Sequence, residues 1–283
     1  MQAATRIPGT FVGGLVLLLL VGAPQGCGPE AEDQTEAVGQ MAAEQGEELG
    51  GEDAGGAEVH WGYEGEAGSD RWGGLDPSFA VCDAGLEQSP VDLTGAIPGD
   101  AAEDGGLDIQ WRATEAEVVD NGHTIQINTA EGSSIVLEGR EFALVQFHFH
   151  LPSEHTVDGT ASAMEVHFVH AAGEGDLAVI GVFMEAGDAD PTIRGLWEAI
   201  PGPEDSPAAV GALDPGTLLP EGRGYFRYQG SLTTPPCSEV VSWVVMTESI
   251  SVSQAQIDAF AALYPMNARP VQPLNGREIR LRT

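Results

Sequence analysis

Six of the seven histidines crowd into residues 123–170, and four of these lie inside apolar, strand-forming runs. The runs are Gln146-Phe147-His148-Phe149-His150 and Glu165-Val166-His167-Phe168-Val169-His170. Polar rings set among so much Phe and Val are costly to bury unless something pairs with them. On a β-strand, positions i and i+2 project from the same face. His148 and His150 therefore reach toward one point together. Histidine is the commonest metal ligand. A third imidazole from a neighbouring strand would complete a three-histidine site with one open position, the way a catalytic zinc is held. His170 points to the opposite face from His167, so those two cannot bind the same ion.

The 283 residues fit one or two domains, and the apolar fraction is enough for a sizeable core. The charge is lopsided: 44 acidic residues stand against 11 basic ones, all of them Arg, for a net charge of −33. Nucleic acid and anionic membrane surfaces both recruit positive charge, so this balance argues against either as a partner. The acidity fits a saline habitat, and the use of Arg without Lys fits a GC-rich genome.

The chain changes character along its length. Arg6 followed by the apolar run Phe11–Val21 reads as an export signal, because the run is too short to span a bilayer. Gly26-Cys27, following it closely, resembles the lipobox of bacterial lipoproteins, where the Cys becomes a lipid-bearing N-terminus. Residues 1–26 are thus expected to be a signal peptide of lipoprotein type, with Cys27 as the lipidation candidate. The alternative is an ordinary secretory signal in which Cys27 is incidental. Either way the product is exported to the periplasm or cell surface. Residues 27–58 form an acidic linker with no basic residue and no apolar periodicity. Such a segment cannot bury enough surface to offset its ordering entropy and is expected to be disordered.

From residue 59 to 283 the pattern is mainly β. Strands are expected at Val118–Val119 and Thr124–Asn128 around the Asn121-Gly122 turn. Others are expected at Ser134–Leu137, Phe142–His150, Ala163–His170, Leu177–Met184 and Glu239–Thr247. Helices are expected at Thr192–Ala199 and Ser253–Tyr264, the latter with Ser253 and Gln256 at capping-box spacing and Pro265 as a stop.

Eight motifs then occur in order: His60-Trp61-Gly62-Tyr63, Gln88-Ser89-Pro90-Val91, Asn121-Gly122-His123, Gln146 to His150, Ser153-Glu154-His155-Thr156-Val157-Asp158, Glu165 to His170, Gly230-Ser231-Leu232-Thr233-Thr234-Pro235-Pro236-Cys237, and Arg269-Pro270-Val271-Gln272-Pro273-Leu274-Asn275. Together they resemble the α-class carbonic anhydrases, in particular the exported bacterial members, over nearly all of 59–283. The resemblance implies a large, mostly antiparallel central sheet of about ten strands with short peripheral helices. It also implies the reversible hydration of carbon dioxide to bicarbonate and a proton, by attack of a zinc-bound hydroxide.

Residue roles follow from the same resemblance. His148, His150 and His167 match the zinc ligands. Gln146 matches the hydrogen-bond partner of His148, Glu165 that of His167, and the backbone carbonyl of Asn275 that of His150. Thr233 and Glu154 match the pair that orients the attacking oxygen, and Thr234 lines the cleft near the product. His123 matches the proton shuttle, with Tyr63, Asn121 and Gln126 ordering the water along its path. Val169, Val179, Leu232, Val241 and Trp243 match the apolar wall that receives carbon dioxide. His155 and His170 match structural histidines. Cys82 and Cys237 match a disulfide of exported members, which leaves Cys27 for lipidation.

Two other functions use the same residues. One is an inactive binding module on the same fold, disfavoured because the ligand histidines, Thr233, Glu154 and His123 are all present. The other is a zinc hydrolase acting on esters, separable by comparing ester turnover with carbon dioxide hydration.

Overall fold

The computed structural model describes residues 59–99, 106–202 and 207–283. The expected signal peptide, Cys27 and the acidic linker lie outside the described residues. In chain order the strands are β1 (Ile97–Pro98), β2 (Leu107–Gln110), β3 (Thr114–Asp120), β4 (Ile125–Thr129), β5 (Ser134–Leu137), β6 (Arg140–His150), β7 (Thr156–Val157), β8 (Thr160–Ala161), β9 (Met164–Ala171), β10 (Leu177–Ala186), β11 (Ala208–Leu213), β12 (Tyr225–Gly230), β13 (Val241–Met246), β14 (Ile250–Val252) and β15 (Arg280–Arg282).

Among the described residues, thirteen of these strands join in one sheet with the main order β1-β15-β12-β13-β10-β9-β6-β4-β3-β11. Strand β14 continues along the end of β10, and β2 and β5 extend the sheet beside β6. The strands expected from sequence are all present within a few residues. The sheet is larger than expected, and it is mixed: β13 and β14 run parallel to β10, and β1 runs parallel to β15. Parallel neighbours cannot be joined by a hairpin. After β10 the chain leaves the sheet through the helix Pro191–Glu198 and returns by β11 and β12 before β13 docks beside β10.

Both faces of the sheet centre are covered. Every residue of β9 is buried, as are the first eight of β10. That accounts for their nearly unbroken apolar sequences. One face carries Val166, Phe168, Ile180 and Val182 against Ile193, Leu196, Ile257 and Phe260 from the two longer helices. Those helices run from Pro191 to Glu198 and from Gln254 to Ala261, and Ser253 and Gln256 form the expected capping box on the second. The opposite face carries Val169, Val179, Val241, Val245 and Trp243.

Strand β6 changes faces part-way along. Phe142 and Leu144 are in the helix-side core, and so are Phe147 and Phe149. Even positions face that core before residue 145 and odd positions after it. The pairing with β9 steps from Leu144↔His170 to Gln146↔Val169, leaving Val145 as the extra residue of a β-bulge. A one-residue insertion exchanges the faces of everything beyond it. The bulge is what sends Gln146, His148 and His150 away from the helix-side core.

Candidate metal centre

Register brings the three ligand candidates together. His148 on β6 lies directly opposite His167 on β9, and His150 lies opposite Glu165. Every pair among His148, His150 and His167 can place a ring nitrogen within 4.8 Å of the other. His150 and His167 are buried, while His148 is half-buried.

Each ring is held by one nitrogen and leaves the other facing the cluster. His148 Nδ1 donates to Gln146 Oε1 at 2.8 Å. His167 Nε2 donates to Glu165 Oε1 at 2.9 Å. His150 Nδ1 donates to the backbone oxygen of Asn267 at 2.8 Å. The family resemblance implies Asn275 for that last role, and the structure corrects it to Asn267. Asn275 is exposed, and its amide donates to the Leu86 carbonyl instead. Asn275 ends the Arg269–Asn275 motif and Asn267 stands two residues before it, and chain order alone does not say which one folds back onto β6.

The remaining nitrogen of His150, Nε2, is buried and has no hydrogen-bond partner. A buried polar atom left unpaired costs about 1–3 kcal/mol, so its presence points to a ligand. The electrostatics agree. Burial, reinforced by the neighbouring imidazoles, pushes His148 and His167 down, and burial lowers His150 to about 4. All three rings are therefore neutral at pH 7, the form that binds a divalent cation.

Glu165 supports more than one ring. Its Oε1 also accepts from His155 Nδ1 at 2.8 Å, and its Oε2 accepts from the Glu154 and His155 amides, each at 2.9 Å. Burial pushes its pKa up, but His155 and His167 outweigh that and hold the carboxyl well below the usual carboxylate range. His155 in turn meets the Tyr228 hydroxyl at 2.6 Å, so it is fully used as a structural group. His170 accepts from Trp111 Nε1 at 3.0 Å and donates to the Ala178 carbonyl on the other face of β9.

Glu154 sits beside the cluster. Its Oε1 accepts from the Arg269 amide at 2.8 Å, and its Oε2 is 3.6 Å from His150 Nε2 and 3.8 Å from His167 Nδ1. Burial raises its pKa to about 7, even though His167, the Arg269 amide and the Thr233 hydroxyl all favour the carboxylate. Thr233 is buried and Thr234 half-buried on the loop that Cys237 closes, where the Cys237 amide donates to the Thr234 carbonyl at 2.8 Å. Cys82 and Cys237 form a disulfide across a sequence separation of 155.

The expected apolar wall is contiguous. Val169, Val179, Val241 and Trp243 share one cluster, and Leu232 packs against it. Val169 pairs with Val179, and Val179 with Trp243, across β9, β10 and β13. The Trp243 ring meets His167 edge to face at 4.9 Å.

Of the polar residues expected along the proton path, Gln126 lies on β4, Asn121 and His123 stand on the turn before it, and Tyr63 reaches them through Trp61. Gln126 on β4 lies opposite His148 and accepts from Asn121 Nδ2 at 3.3 Å. His123 stands on the Asn121–Thr124 turn, where Asn121 Oδ1 accepts from the His123 and Thr124 amides. Its ring stacks on Trp61 with centroids 3.8 Å apart, and Tyr63 meets the same Trp61 edge to face. Sequence alone assigns no role to Trp61 or Asn267, although Trp61 lies within the His60–Tyr63 motif and Asn267 two residues before the Arg269 motif.

The family model described as "Eukaryotic-type carbonic anhydrase" matches residues 67–283. A carbonic anhydrase of Nostoc sp. is 44% identical over 223 residues, covering 77% of this chain and 84% of the relative. A hyperthermostable carbonic anhydrase from a hydrothermal vent chimney superposes with a TM-score of 0.76 at 41% identity, covering 79% of this chain and all of that structure. The α-carbonic anhydrase of Thermovibrio ammonificans in complex with sulfanilamide gives 0.75 at 40% identity, covering 80% of this chain and all of that structure.

Proposed function

The chain belongs to the eukaryotic-type carbonic anhydrase family and hydrates carbon dioxide reversibly to bicarbonate and a proton; we propose that it does so at a zinc ion held by His148, His150 and His167. The observation that carries this assignment is the unpaired, buried Nε2 of His150, set among the free nitrogens of two other neutral imidazoles. Three neutral nitrogen donors with one side open are the donor set of a catalytic zinc. When bound, such a zinc acts as a Lewis acid that brings the pKa of water from about 15.7 to about 7, a behaviour for which carbonic anhydrase is the reference case.

The protein's own groups do the rest. Gln146, Glu165 and the Asn267 carbonyl fix the three rings in the tautomers that keep their donor nitrogens inward. The Arg269 amide holds Glu154, and Glu154 with Thr233 forms the polar pair that aims the attacking oxygen. Val169, Val179, Leu232, Val241 and Trp243 offer carbon dioxide an apolar seat, which suits a substrate without charge. Thr234 faces the product. His123 takes the released proton outward, since an imidazole titrates near neutral pH. Tyr63, Asn121 and Gln126 supply the polar lining of that route.

Metal analysis and stopped-flow carbon dioxide hydration on the same sample test this reading. One equivalent of zinc in the wild-type protein and none in His150→Ala, with activity following the metal, is the expected result. Hydration by His150→Ala at the wild-type rate overturns the ligand set. His123→Ala should slow turnover in weak buffer and recover with added imidazole.

We also propose export. The disulfide suits an oxidising compartment. No described helix is long and apolar enough to cross a membrane. Membrane tethering through Cys27 is the accompanying proposal. Labelled palmitate should enter the wild-type protein in cells and fail to enter Cys27→Ala; equal labelling of both removes Cys27 as the anchor.

A further inference from the structure

We propose that the side chain of Asn267 is a positioning residue that couples His150 to His123, so that one buried carboxamide sets both the grip on the metal and the placement of the proton-carrying ring. The proposal rests on the roles given above to His150 and His123.

Asn267 is fully buried. Its backbone oxygen accepts from His150 Nδ1 at 2.8 Å, and its backbone amide donates to the Leu151 carbonyl at 3.0 Å. The side chain adds three more bonds. Oδ1 accepts from the Leu151 amide at 2.7 Å. Nδ2 donates to the Phe149 carbonyl at 2.9 Å and to the His123 carbonyl at 3.1 Å. A carboxamide offers two N–H donors and one acceptor oxygen, and all are used here. The residues on both sides of His150 and the backbone of His123 therefore hang from a single planar group. His123 is some 27 positions from His150 in sequence and lies on a different strand connection, so this group bridges them directly.

The contrast with the other supports shows what is particular to Asn267. Gln146 reaches only His148 among the ligands, and Glu165 only His167. Asn267 alone among the described supports also touches the His123 turn. The ring of His123 rests on Trp61, and its amide is held by Asn121. Its carbonyl is the anchor that Asn267 supplies. A charged or shorter side chain does not reproduce this pattern. Asp would face the Phe149 and His123 carbonyls with a second acceptor, and Ala would leave buried polar groups on both segments unpaired.

The test uses the full holoenzyme with Asn267→Ala, and Asn267→Ser as the second variant in case the first does not fold. Zinc retention is read by competition with dipicolinate, and the geometry at the metal by the visible absorption of the cobalt(II)-substituted protein. Proton export is read as hydration turnover in weak buffer with and without imidazole. The expected result is zinc held severalfold more weakly, because the Asn267 carbonyl remains but loses the side-chain bonds that fix it against His150, with an altered cobalt spectrum. It also includes a severalfold loss of turnover in weak buffer, part of which imidazole restores. Wild-type zinc retention and cobalt spectrum in a folded variant overturn the His150 half. A turnover loss that imidazole does not touch, while His123→Ala in the wild-type background is rescued, overturns the His123 half. If His123→Ala is itself not rescued, the shuttle assignment fails and this half fails with it. A wild-type protein that binds no zinc sinks the ligand assignment first, which metal analysis detects before any variant is made.

Discussion

The two faces of the β6–β9 pair are built from alternate residues of the same strands, yet they obey different rules. The helix-side face closes with Phe147, Phe149, Val166 and Phe168, which touch their neighbours through shape alone. The cleft-side face carries Gln146, His148, His150, Glu165 and His167, joined by directed hydrogen bonds between named atoms. On the first face, stability falls with the volume that is removed. On the second, loss of one atom can abolish binding while leaving the fold in place. A single bulge at Val145 assigns the second half of β6 to these faces.

Deleting Val145 attacks that assignment and should have the largest effect. Without the extra residue, Gln146, His148 and His150 turn toward the helix-side core and the phenylalanines toward the cleft. Burying those groups unpaired costs several kcal/mol, comparable with the roughly 5–15 kcal/mol of a whole domain's stability. The variant should show no cooperative unfolding transition and hold no zinc. A cooperative melt with one equivalent of zinc would mean that another residue absorbs the bulge.

Paired substitutions on the two faces sharpen the contrast. Phe149→Ala should cost about 3–5 kcal/mol in urea unfolding while the folded protein keeps its zinc. His148→Ala, at a half-buried site, should lose zinc while the metal-free stability stays within about 1 kcal/mol. If both variants lose stability and metal together, the faces are not independent.

The disulfide fastens the cleft side. Replacing Cys82 and Cys237 together by Ser should lower stability by about 2–4 kcal/mol, since the bridge closes a long loop. Cys82 and Cys237 pack with the buried Trp72 in one cluster, and an unchanged urea midpoint would show that this packing holds the region without the bridge.

The smallest expected effect concerns His170, the titratable ring on the helix-side face. Burial lowers its pKa to about 3, against about 6.5 in the unfolded chain. Its contribution is fully present above pH 6.5 and is lost as pH falls, because the unfolded chain then takes up a proton that the native state refuses. Between pH 7 and pH 5 this amounts to about 2 kcal/mol. His170→Gln, which cannot titrate, should show that much less acid sensitivity. Identical pH slopes would mean that His170 is not buried in its neutral form.

Much of this was legible along the chain. Apolar runs rich in Phe and Val marked β6 and β9 as strands, and the His-x-His spacing put two ligands on one side. The capping box at Ser253 and Gln256 marked a helix start that the fold reproduces. Short edge strands such as β1, β7 and β8 went unseen, because two residues carry no periodicity. The parallel approach of β13 to β10 was also out of reach, since it depends on where a crossover lands.

Residue order alone settled which groups are chemically fit for the work, because donor type and i, i+2 spacing are local properties of the chain. It did not settle which distant atoms meet them. Asn267 rather than Asn275 faces His150, and Val145 is the residue that steps out of register, because both depend on how remote segments pack. Packing satisfies buried polar atoms by proximity in space, and that proximity is decided only when the whole sheet has closed.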